Sequence, residues 1–104
     1  MKVNSIYSTF QGIEYFHTQS EDYFVSKCGK VISCKWGKVR VLKQSFDTKK
    51  YLTVTINRTT KKVHRIMAET FFENWENLQV NHIDENKTNN NIENLELITC
   101  KQNI

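Results

Sequence analysis

The sequence predicts an α+β fold: a small antiparallel β-meander, then one helix, then a strand-loop-strand-helix unit. Three patterns predict it. β-rich, partly alternating runs occupy residues 23–56, a 3.6-residue apolar period takes over at Val63, and an asparagine-rich loop separates two short apolar segments near the C-terminus. A chain of 104 residues can bury one core but not two independent ones. A β-rich region over 1–60 and a second region over 61–104 are therefore expected to fold as one cooperative unit.

The first 20 residues carry little pattern. From Tyr23 the text becomes strand-like: Tyr23-Phe24-Val25 leads through a Cys28-Gly29-Lys30 turn to Val31-Ile32-Ser33 and, past Gly37, to Val39–Leu42. Tyr51–Ile56 alternates, with Leu52, Val54 and Ile56 on one face and Tyr51, Thr53 and Thr55 on the other. Asn57–Thr60 reads as a turn. Val63, Ile66, Met67, Thr70 and Phe71 then fall on one helical face, which predicts a helix over Val63–Glu73 whose stripe packs on the strands. Leu78-Gln79-Val80 is a short strand delivering Asn81 and His82 into the polar loop Ile83–Asn91. Leu95–Ile98 is the returning strand, and Thr99 is placed to cap a final helix.

Charge is distributed unevenly. Residues 27–65 hold twelve of the fifteen basic residues and a single acid, Asp47, while the flanking segments are net acidic. A block of this kind can neutralise phosphates; a lysine-rich solvated sheet face is the alternative. No apolar run approaches the roughly 20 residues of a membrane span, and no signal-like stretch opens the chain, so the expected location is the cytoplasm. Cys28, Cys34 and Cys100 form no CxxC pair, which argues against a disulfide framework and against structural zinc. They read as small half-buried thiols in strands.

Between Asn81 and Asn94, six of fourteen residues are asparagine. Asn86, Asn89, Asn90 and Asn91 suit turns, or reflect compositional drift. Asn81, His82, Asn94 and Asn103 fall instead at a strand end, a loop close and a helix start, the places where such a unit brings side chains together. Phosphodiester hydrolysis needs a base for water and a cation for the charge that builds on phosphate. His82 is the apt base near neutral pH. Amide oxygens of Asn81 and Asn103 are able to hold a hard ion such as Mg²⁺, with Mn²⁺ as the alternative, because such ions keep several waters and share the substrate's oxygens.

Val63-His64-Arg65-Ile66-Met67-Ala68, Val80–Lys87 and Asn91–Glu96 together resemble the HNH family of phage and intron-encoded homing endonucleases. Tyr23–Ser33 resembles the small β-rich module that often precedes this core. The resemblance implies a ββα-metal nuclease motif and cleavage of DNA to 5′-phosphate and 3′-hydroxyl ends. It implies His82 as general base, Asn81 and Asn103 as metal ligands, and Asn94 as a residue that orients the loop or the histidine. Asn81 stands where many members have aspartate. His64 is read as structural and Asp84 as a loop-stabilising acceptor.

Lys35, Lys38, Arg40, Lys43, Lys49, Lys50, Arg58, Lys61, Lys62 and Arg65 are the expected DNA contacts, mostly to phosphate. Relatives continue the metal-bearing helix beyond the position of Asn103. This leads to an expectation of little sequence selectivity, and of a homodimer or partner chain supporting a short C-terminal helix. The competing function is a catalytically weak DNA-binding module derived from such a nuclease; a scaffold within a larger phage complex is a third.

Overall fold

A computed structural model describes residues 7–99. Every strand pair among them is antiparallel. The first sheet is a meander in chain order: β1 (Tyr7–Phe10), β2 (Ile13–His17), β3 (Tyr23–Ser26), β4 (Val31–Ser33) and β5 (Arg40–Val41). The second comprises β6 (Ser45–Phe46), β7 (Leu52–Ile56) and β8 (Thr59–Lys62). Helix α1 (Val63–Phe71) follows directly, and β9 (Gln79–His82) and β10 (Leu95–Ile98) close the chain as a two-stranded ribbon.

The helix forms where the apolar period predicts it but stops two residues early. Phe72 adopts an extended backbone and donates its N–H to the Ala68 carbonyl. No side chain caps the N-terminus, so α1 is held by packing rather than by end effects. Val63, Ile66, Met67 and Phe71 are buried with Val25 and Val31 of the meander, Val54 and Ile56 of β7, and Leu95 of β10. Burying those four helix side chains is worth on the order of 10 kcal/mol before conformational entropy is charged against it.

Two hairpins differ from the sequence expectation. β1 and β2 lie in the segment with little pattern and meet through Gln11-Gly12, both at positive φ. The predicted turn over Asn57–Thr60 is a two-residue connection: Asn57 and Arg58 take positive φ, and Thr59 already pairs with Ile56. That backbone suits the twist of flanking strands, but an arginine in the second position hides it from a reading that looks for glycine. Along β7 Thr53 is buried as well as Val54 and Ile56; its hydroxyl donates to the Ser45 carbonyl. Cys28 is exposed in the β3–β4 turn and Cys34 follows β4, so neither lies in a strand as expected. Cys100, Asn103 and the helix expected after Thr99 lie outside the described residues.

One junction ties the meander to the C-terminal ribbon. The turn between β3 and β4 approaches the segment before β10. Ile92 N–H donates to the Lys27 carbonyl at 2.7 Å, and Gln44 donates to the Gly29 carbonyl at 2.8 Å. Gly29 has φ of 94°, and a Cβ there would stand 2.9 Å from Asn90 Cβ. Glycine is required by both the conformation and the space.

Candidate active site

His82 ends β9, opposite Leu95 of β10, and is buried. Its Nε2 lies 2.7 Å from Oδ1 of Asn90, which is itself 4% exposed. A carboxamide oxygen only accepts, so in this arrangement Nε2 carries the proton and Nδ1 keeps the lone pair. Asn90 rests on Gly29 on one side and on the histidine on the other. The second amide atom of Asn90, Nδ2, is buried without a partner among the described residues.

The loop after His82 is fixed by its own polar side chains. Asn94 accepts from Asp84 N–H and donates to the Asp84 carboxylate and to the Asn89 carbonyl. Asp84 also accepts from Asn86 N–H and from the Asn89 amide. These bonds, led by that from Asn89, hold its carboxyl below the ordinary value. Of the two roles expected for Asn94, the geometry gives it the loop; the histidine is held by Asn90. Ile83 N–H meets the Asn94 carbonyl, closing the loop at its base.

Asn81 pairs across the ribbon with Glu96, and its Nδ2 donates to Glu96 Oε1 at 3.0 Å. This turns the amide nitrogen toward the carboxylate, leaving Oδ1 as the atom suited to a cation. Among the described residues no group of three or more His, Cys, Asp or Glu gathers as a metal site. The ligand pair expected from sequence is made of amides, and one member, Asn103, is outside the described residues.

His64, read from sequence as structural, stands beside His82. Their ring centroids are 5.2 Å apart, and Tyr51 stacks on His64 at 4.8 Å. His64 is 7% exposed. Burial first, then the charge it would share with His82, Lys62 and Arg65, pushes its pKa down to about 4, so the ring is neutral at pH 7. Lys62 and Lys87 place their ammonium groups 5.2 Å and 4.7 Å from the centre of the Tyr51 ring.

The ten expected DNA-contacting residues are spread over several strands, loops and the helix. Lys49, Lys62 and Arg65 line a cleft with His64 and Tyr51. Arg65 also donates to the Leu78 carbonyl and lies over Trp75. Lys35 bonds to Asn57, beside Arg58 in the β7–β8 turn. Lys38, Arg40, Lys43 and Lys50 are exposed, and Lys61 is half-buried. The sequence reading gave His64 a structural role and Asn90 a turn, and assigned Tyr51 and Lys87 no role at the site. His64 shares the apolar helix face, three residues before Met67 and seven before Phe71, a spacing that signals burial and not proximity to His82.

Comparison with known proteins bears on this geometry. Residues 61–104 match the family model described as HNH endonuclease. The chain is 44% identical over 90 residues to an uncharacterized HNH endonuclease of Acanthamoeba polyphaga mimivirus, covering 82% of this chain and 27% of that protein. It is 32% identical over 85 residues to an SPbeta prophage-derived protein of Bacillus subtilis named as an HNH homing endonuclease, covering 78% and 49%. The solved structure of DNA binding and cleavage by the HNH homing endonuclease I-HmuI superposes with a TM-score of 0.68 at 34% identity, over 94% of this chain and 55% of that one. The chain thus spans between about a quarter and just over half the length of these relatives.

Proposed function

We propose that this chain, whose residues 61–104 match the HNH endonuclease model and which is similar to HNH endonucleases, is a metal-dependent endonuclease hydrolysing DNA phosphodiester bonds, with His82 as general base. The observation that carries the reading is the 2.7 Å contact between His82 Nε2 and Asn90. It leaves Nδ1 as the basic atom of a buried ring at the end of a strand, next in sequence to an amide oxygen donor. His82 takes a proton from the water that attacks phosphorus. Asn90 holds the ring, and the Asp84–Asn89–Asn94 bonds hold the loop that carries Asn90.

Asn81 and Asn103 are the proposed oxygen ligands of the cation, Mg²⁺ in the first place and Mn²⁺ as a substitute. When bound, a divalent ion neutralises the charge that develops on the phosphate and the leaving oxygen. The donor chemistry fits on the Asn81 side. The Glu96 carboxylate accepts from Nδ2 and so makes Oδ1 more electron-rich, a partial substitute for the charge of an aspartate. Lys49, Lys62, Lys87 and Arg65 supply phosphate contacts near the site, and the other basic residues extend the DNA contact over the sheets. Work on DNA is consistent with a cytoplasmic setting and with viral and prophage relatives; among the described residues no helix is long and apolar enough to cross a membrane.

Supercoiled plasmid incubated with the protein and Mg²⁺ or Mn²⁺ tests the proposal. Nicked or linear product is expected, abolished by EDTA and reduced at least about 100-fold by His82→Ala. Supercoiled DNA left intact by the wild type with either ion would overturn it. In that event retained, salt-sensitive DNA binding in both wild type and His82→Ala identifies the DNA-binding module instead.

A further inference from the structure

Two clefts meet at Tyr51 and Val80. One, lined by Asn81, His82, Glu85 and Lys87, is the proposed seat of the reacting phosphate. The other, of about 360 Å³, is lined by Lys49, Lys62, His64, Arg65, Leu78 and Gln79; its cations are already proposed to meet phosphate, but the proposed reaction gives His64 no part. His64 forms its floor: the residue is buried against Tyr51 and His82 and lines the cleft.

The charges around His64 define what the cleft can hold. Lys49 and Lys62 bring two ammonium groups to this cleft, and Arg65 a guanidinium partly engaged by the Leu78 carbonyl. A cation is excluded by charge, and the complement is an anion with oxygen acceptors. The two clefts adjoin, with their imidazoles 5.2 Å apart. Tyr51 lies between, with Lys62 at one cleft and Lys87 at the other.

We infer that the His64 cleft is a second phosphate subsite, holding the DNA phosphodiester adjacent to the one that is cut. His64 donates its imidazole N–H to a non-bridging oxygen, while Lys49 and Lys62 supply the countercharge. The neutral state of His64 makes it a donor that demands no proton from solvent. The subsite deepens the nuclease reading, because it takes the His82 cleft as the place of the neighbouring phosphate. It also gives the protein a way to fix strand direction and register at the cut without reading a base.

The test uses the full chain carrying His82→Ala, so that DNA stays intact whatever the enzyme's activity. The imidazole signals of His64 are followed by NMR during titration with a thymidine oligonucleotide, and separately with inorganic phosphate. Saturable shifts of the His64 ring are expected with the oligonucleotide. Lys49→Gln with Lys62→Gln, substitutions of exposed side chains, should weaken that response roughly tenfold. On the cleaved duplex, replacing one phosphate flanking the cut by an uncharged methylphosphonate should slow the active protein, and His64→Leu should remove that sensitivity while His64→Gln retains part of it.

Shifts elsewhere with a silent His64 ring would overturn the subsite, as would equal sensitivity to the methylphosphonate in wild type and His64→Leu. An inactive wild type whose His64 ring still answers the oligonucleotide through the two lysines would keep the subsite and discard the nuclease reading.

Discussion

A neutral imidazole offers its lone pair at one nitrogen only, and at His82 the neighbouring Asn90 selects which. Asn90→Leu removes the acceptor for Nε2–H; Asn90→Asp keeps one. The leucine variant is expected to lose about 10- to 100-fold in kcat with little change in KM, and its ¹⁵N spectrum should no longer show His82 in a single Nε2-protonated form. The aspartate variant should retain that spectrum. Glu96→Gln tests the second support: weaker polarisation of Asn81 should raise the Mn²⁺ dissociation constant about tenfold, measured by titration in the presence of DNA. The place of His82 and Asn81 at a strand end was legible because a short apolar run passing into a polar loop is distinctive in sequence. Asn90 was not. Four asparagines there share one turn-forming chemistry, and only tertiary packing against Gly29 separates the one that meets the histidine.

Among elements, the helix was the easiest to read, since Val63, Ile66, Met67 and Phe71 both make the period and make the core. β8 was hidden because its hairpin turn uses Asn57 and Arg58 in a conformation that favours glycine. β9 and β10 were found, but their register, His82 against Leu95 and Asn81 against Glu96, depends on pairing across a loop whose shape comes from Asp84 and Asn94. The β3–β4 turn was expected; its contact with the loop was not, because contacts between distant segments leave no periodicity. Gly29→Ala tests that contact. A methyl group at φ of 94° and 2.9 Å from Asn90 Cβ should cost about 2 kcal/mol in urea unfolding. It should also displace Asn90 and so lower cleavage more than DNA binding.

For the whole molecule, the buried neutral His64 links stability to acidity. Its pKa falls from 6.5 in the unfolded chain to about 4 in the folded one. Between those values the unfolded chain takes up the proton first, so stability is full above about pH 6.5 and falls as pH drops toward 4. The loss is roughly 3 kcal/mol at most, and His64→Gln should flatten the curve over that window in thermal unfolding followed by circular dichroism. The uneven distribution of charge was legible in the sequence. Its arrangement was not: only folding brings Lys49, Lys62, Arg65 and the distant Lys87 around one tyrosine.

The match to the nuclease family begins at residue 61, yet the support of its histidine begins at Lys27 and Gly29, and Gln44 braces the same turn. The recognisable segment is therefore no transferable cartridge. Grafted onto another carrier, it would bring the His82 ring without the backbone ledge that keeps Asn90 under it. Exchange of the upstream sheet between such proteins would be tolerated only where that ledge travels with it.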